Sequence, residues 1–147
     1  MNYVCGFLFR GTRVLLVEKR SPQWQAGLLN GIGGKVENFE TFDAAMRREW
    51  MEEVGRPIDW TLFATEHEGS TALVYFYKAR LRVTDDWEPP FKNDAGETLR
   101  WLDVGALPYT RVVGNLHWLV PLAMDPRGLM TVNVMSPLKL IRDNPTW

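Results

Sequence analysis

Glu49, Glu52 and Glu53 fall within five consecutive positions of the stretch GGKVENFETFDAAMRREWMEEVGR, residues 33–56. Two carboxylates about 5 Å apart, at an effective dielectric near 20, repel by roughly 3 kcal/mol, a large term against the stability of a small domain. One remedy is protonation of an acid; another is a divalent cation with oxygen ligands. Magnesium suits such a group because it accepts a few carboxylates, keeps waters and leaves positions for substrate phosphates. The competing reading is a solvated acidic face trimmed by Arg47 and Arg48.

The element carrying these acids is predicted as a helix of about three to four turns. Thr41 supplies an N-cap, Asp43 suits the first turn, and Gly55 followed by Pro57 supplies a stop. At helical spacing Phe42, Met46, Trp50 and Val54 sweep one core-facing side with Ala45 on its flank. Glu49 and Glu53 then lie at the edge of that stripe, and Glu52 lies beside Ala45, four residues after Arg48 and able to pair with it.

Around the helix, Tyr3–Phe9 and Val14–Glu18 read as a hairpin over Arg10-Gly11-Thr12. Residues Ser21–Gly34 read as a site-bearing loop that ends in a short strand. Strands are expected at Ile58–Glu66, Thr71–Val83 and Thr98–Val104, an acidic loop at Asp85–Glu97, a second helix at Asn115–Met124 despite Pro121, and a terminal strand through Leu129–Met135. The order β-β-α-β-β-β-α predicts one α+β domain over residues 1–147, a mixed sheet with helices packed on it.

The chain has 147 residues, 46% hydrophobic and 24% charged, as ordinary folded domains are. Seventeen basic against eighteen acidic side chains give a net charge of −1, which supplies no general field for a nucleic-acid polymer. The single cysteine, Cys5, excludes an intrachain disulfide and a thiolate zinc site, and a reducing cytoplasm fits best. No stretch has the pattern of a secretory leader or the length of a membrane span, so neither secretion nor membrane insertion is expected. His67 and His117 are too isolated for a metal cluster. The Gly34-Lys35 pair fails as a phosphate-binding P-loop, because Leu29 stands at the first glycine and Val36 at the hydroxyl position.

Gly34, five residues, Glu40, seven residues, then Arg48-Glu49-Trp50-Met51-Glu52-Glu53-Val54-Gly55 resembles the signature of the Nudix (MutT-like) hydrolases. Every charged and glycine position of that signature is filled. Trp50 and Arg56 depart from it, each at a slot normally aliphatic, which puts the local packing in question more than the chemistry. The resemblance implies an α/β/α sandwich with a mixed sheet, a fold that often forms homodimers. It implies hydrolysis of a nucleoside diphosphate linked to a further group, by water attack at phosphorus with divalent metal assistance, Mg2+ or Mn2+. Glu49, Glu52, Glu53 and the Gly33 carbonyl would hold the metal, Arg48 would orient and balance the glutamates, and Glu40 would fix the Gly-rich loop. The family often uses a glutamate in the loop before the strand that here is Thr98–Val104, a position Glu97 occupies as a further ligand or base; the plain alternative is an ordinary loop acid. The proton acceptor is Glu52 or Glu53 inside the motif, or Glu97 outside it.

The phrase LLNGIGGKVE resembles the segment in which the family's oxidised-purine nucleoside triphosphatases place a base-reading asparagine, here Asn30. Asn115 is placed similarly to a base-binding residue before the last helix of MutT-like members. A turn role for Asn30 and a helix-cap role for Asn115 stand beside these readings. Lys19 could reach phosphates or simply be solvated, and Trp24 is the tryptophan placed to stack on a base. The implied substrate is a small nucleotide: an 8-oxo-dGTP-like triphosphate, or else ADP-ribose or a nucleotide sugar. A member that binds a nucleotide without cleaving it would be expected to lose the motif acids, which this chain keeps.

Overall fold

A computed structural model of the chain describes residues 1–68, 72–127 and 132–136. Its strands are β1 Asn2–Arg10, β2 Arg13–Glu18, β3 Leu29–Asn30, β4 Ile32–Lys35, β5 Thr61–Glu68, β6 Ala72–Leu81, β7 Leu99–Asp103 and β8 Val132–Ser136, with helices α1 Phe42–Glu53 and α2 Leu116–Met124. The elements are the expected ones with shifted ends. The strand expected from Ile58 starts at Thr61, and the expected Leu129–Met135 strand appears as β8, its first three residues lying outside the described ones.

The strands form one mixed sheet in the order β3-β2-β1-β6-β5-β8, with β4 also paired to β1 and β7 to β2. Strand β1 pairs in parallel with β6 along its whole length, β5 pairs in parallel with β8 from Ala64 to Glu68, and the remaining pairs are antiparallel. The other edge of β1 is divided. Its second half pairs with β2, Leu8 opposite Leu15, and its first half pairs with β4, Cys5 opposite Gly33. The two partners part where residues 19–28 leave the sheet and return through β3, and that parting opens a cleft.

Period-two alternation along β1 builds a core on each face of the sheet. Cys5, Phe7 and Phe9 join Phe63, Phe76, Leu116, Leu119 and Val120 beneath α2. Val4 and Leu8 join Leu15, Met46, Trp50 and Tyr77 beneath α1. Thr41 caps α1, its side chain accepting from the Ala44 N–H at 3.1 Å, and Gly55 ends it at φ +81°, a conformation that favours glycine. Ala45, Met46 and Trp50 form the buried face of α1 as its spacing predicts, while Phe42 is half-buried and stacks on Tyr75. Among the described residues no helix is long and apolar enough to cross a membrane.

Candidate active site

The acids of α1 separate into two groups. The first is organised by Arg48, whose guanidinium is a fork of donors matched to carboxylates. Its Nε and Nη2 donate to Glu40 at 2.7 and 3.0 Å, and its Nη1 donates to Glu49 at 2.8 Å and to Glu52 at 3.3 Å. Nη2 also donates to the Lys35 carbonyl at the end of β4, and Glu40 accepts from the Glu37 N–H. The Arg48 contact holds Glu40 below the usual carboxylate range. Glu40 therefore ties helix to loop. Glu52 is 59% exposed and sits on the outer side of this group.

Glu49 lies against β4. A Cβ placed on Gly34 would stand 2.4 Å from the Glu49 carboxyl carbon, so only the bare backbone of glycine lets the acid approach. Gly33 has a different constraint: its Cβ would meet the Val4 carbonyl at 1.9 Å, which makes it a requirement of the β1–β4 contact.

Glu53, the last residue of α1, heads the second group. It accepts from Asn93 Nδ2 at 3.2 Å. Burial pushes its carboxyl up to about 7, with repulsion from Glu97 and Glu49 adding to the rise while Asn93 and Lys19 pull against it. Glu97 is only 5% exposed. It accepts from the Arg20 N–H at 2.8 Å, from Asn93 Nδ2 at 3.2 Å and from Lys19 Nζ at 3.3 Å. Burial alone would lift this acid, but those donors outweigh it and hold Glu97 below the usual range. A buried, fully partnered carboxylate is not an ordinary solvated loop acid. Lys19 is likewise not solvated; it pairs with Glu97.

Among the described residues no three His, Cys, Asp or Glu side chains converge on one point. The donor set still fits a hard divalent cation. It consists of carboxylate oxygens, the Gly34 cradle admits Glu49 to the strand backbone, and the burial that lifts Glu53 is a cost that a nearby cation would relieve. Glu49, Glu53 and Glu97 could each contribute oxygens to such an ion, and Glu52 stands further out.

A cavity of about 530 Å³ opens at the parting of β2 and β4. Lys19, Trp24, Gln25, Asn30, Gly33, Gly34 and Asn115 contribute to its wall, with Cys5, Val74, Phe76 and Val113 as its apolar part. The sequence candidates Lys19, Asn30 and Asn115 thus reach one chamber, together with the glycines under the acids. Asn30 donates to Gln25 at 3.0 Å and accepts from the Gly31 N–H at 2.8 Å. Asn115 precedes α2 but makes no side-chain cap bond; it donates instead to the buried Glu66 at 3.0 Å. Trp24 is 45% exposed at the cavity wall.

Asn93, Gln25 and Glu66 are contributors that residue types and spacing do not single out. For Asn93 the sequence carries one signal, Gly96 just before Glu97, which takes φ +77° and closes the loop so that residues 93 and 97 meet.

A profile described as the NUDIX domain matches residues 2–119 of the chain. An oxidized purine nucleoside triphosphate hydrolase from Danio rerio is 35% identical over 127 residues, 80% of this chain and 76% of that protein. Among solved structures, a mutator MutT protein from Bacillus halodurans superposes with a TM-score of 0.71 at 18% identity, covering 94% of this chain and 91% of that one. A NUDIX hydrolase from Nitrosomonas europaea gives a TM-score of 0.68 at 16% identity, covering 92% and 78%.

Proposed function

The chain belongs to the NUDIX domain family, and from that premise we propose that it is a nucleoside triphosphate pyrophosphohydrolase that uses a divalent cation, Mg2+ or Mn2+, and prefers an oxidised purine. The observation that carries this reading is the single chamber lined by Lys19, Asn30 and Asn115 that runs to the glycines supporting the acids of α1. The likeness to an oxidized purine nucleoside triphosphate hydrolase supports the choice of substrate class.

The overall reaction adds water across the bond between the α- and β-phosphates, releasing a nucleoside monophosphate and pyrophosphate. When bound, the cation neutralises phosphate charge and acidifies a water. The chain's own residues supply the rest. Arg48 fixes Glu49 against β4 and leaves Glu40 to hold the loop. Glu97, kept ionised by Lys19, Asn93 and the Arg20 N–H, supplies a fixed negative charge beside Glu53. Asn30 and Asn115 present amides that donate and accept, which suits the altered edge of an oxidised base. Trp24 offers a stacking face at the cavity wall. The lone thiol Cys5 accords with a reducing, cytoplasmic setting.

The test is release of pyrophosphate and phosphate, with and without Mg2+, across normal and oxidised nucleoside triphosphates, ADP-ribose and nucleotide sugars. Pyrophosphate from triphosphates, fastest for an oxidised purine, is the expected result. Activity confined to ADP-ribose or sugars would overturn the substrate, and binding without hydrolysis anywhere in the panel would overturn the reaction.

A further inference from the structure

Glu53 and Glu97 come from different elements, the end of α1 and the loop before β7, yet they lie close enough to share one hydrogen-bond donor. One uncharged side chain joins them. Asn93 Nδ2 donates to Glu53 Oε2 and to Glu97 Oε1, each at 3.2 Å. Its Oδ1 accepts from the Glu97 N–H at 2.9 Å, and that backbone donor dictates which end of the amide is oxygen. The nitrogen, with two hydrogens, is therefore turned to two acids. Main-chain bonds from Asn93 N–H to the Glu97 carbonyl and from Gly96 N–H to the Asn93 carbonyl lock the loop that carries it, and the side chain is buried.

We propose that Asn93 is a positioning residue that joins Glu53 and Glu97 into one acidic site. The inference rests on reading that site as the hydrolytic centre. A hydrogen-bond donor set between two carboxylates favours their charged forms. A lysine or arginine there would cancel the charge the site needs for a cation, whereas an amide binds both acids and leaves their charge intact. Asn93 does not line the substrate cavity, so its effect falls on the acids and not on nucleotide affinity.

The test uses Asn93→Ser in the full chain. Serine keeps a short acceptor for the Glu97 N–H and removes the amide donor from both acids. With the triphosphate that the parent cleaves fastest, kcat is expected to fall tenfold or more while KM stays within threefold. Mn2+ affinity, read without substrate by the electron paramagnetic resonance of the free ion, should weaken threefold or more. In a Glu53→Gln background the same substitution should weaken Mn2+ binding by a smaller factor, because one of the two acids it serves is already neutral. An equal factor in both backgrounds would mark an additive loop defect and overturn the proposal, as would unchanged kcat and Mn2+ affinity, or a parent that binds no Mn2+. A parent that binds Mn2+ but hydrolyses nothing would sink the functional reading alone, and the Mn2+ comparison would still decide the role of Asn93.

Discussion

The indole Nε1 of Trp50 donates to the backbone carbonyl of Arg56 at 2.5 Å. These are the two positions at which the chain departs from the family motif, and the bond makes them one packing solution. A buried tryptophan usually finds an acceptor for its N–H, and for Trp50 the chain just past Gly55 supplies it. Trp50 packs edge-on against Trp60, 5.0 Å between ring centroids. Arg56 then turns outward, clamps Asp85 with both Nη atoms at 3.0 and 2.6 Å, and covers the face of Trp87. Trp50→Leu is expected to cost about 3 kcal/mol, by the lost burial and the cavity it leaves. A fall in the urea midpoint would show it; an unchanged midpoint would mean the aliphatic residue fits as well.

Glu53→Gln separates chemistry from stability. The substitution keeps shape and removes a carboxylate whose burial opposes its charge. Turnover should drop by orders of magnitude, about a hundredfold or more, while the thermal midpoint stays level or rises, as expected where a site is built at the expense of stability. Full activity in this variant would remove Glu53 from the machinery.

Arg48→Lys tests the fork. Lysine keeps the charge but cannot hold Glu40 through two nitrogens while reaching Glu49 and Glu52. Steady-state kinetics should show kcat reduced about tenfold or more with the circular dichroism spectrum unchanged. Equal kcat would mean that charge alone suffices.

How legible all this was in the sequence differs by residue. The helix, its cap Thr41 and its buried face follow from spacing, because a helix is a local object. Arg48 with Glu52 was legible for the same reason, whereas its shorter contacts to Glu40 and Glu49 depend on how the loop returns to the helix. Glu97 could be placed only through the family resemblance, and its donors Lys19 and Arg20 come from the loop just past β2, far along the chain. For Asn93 the sequence held only the turn signal of Gly96; an amide in a turn is ordinary, and its use appears only when loop and helix meet.

Gly33 and Gly34 should fail in different ways when changed to alanine. The methyl at 33 would drive into the Val4 carbonyl, a backbone atom that cannot yield, so Gly33→Ala should part β4 from β1 and lower the thermal midpoint. The nearest atoms to a methyl at 34 belong to the Glu49 carboxylate, the far end of a flexible side chain. Gly34→Ala should keep its midpoint within a few degrees and lose turnover. Matching losses of stability in both variants would contradict the distinction.

Cys5 supplies a pH dependence. Burial pushes its thiol up to about 12, above the value of the unfolded chain. Above about pH 9 the unfolded thiol ionises and the folded one does not, so stability is full below that pH and declines as pH rises towards 12. At pH 10.5 the decline is about 2 kcal/mol. Urea midpoints at pH 8 and 10.5 should therefore differ more in the parent than in Cys5→Ala. Equal differences would show that the thiol ionises freely in the fold.

The divided edge of β1 has a bearing on how this architecture can be retargeted. The wall that would choose a substrate hangs between two anchor points on one strand, while the acids are referenced to the second anchor, where Cys5 faces Gly33 and Val4 faces Gly34. Lengthening or replacing residues 21–28, which spares the Arg20 N–H on Glu97, would alter the contour of the chamber without sliding the glycines beneath Glu49. Selectivity and bond cleavage are thus separable inheritances of a single strand, and a library confined to that segment could explore new nucleotides on a fixed hydrolytic base.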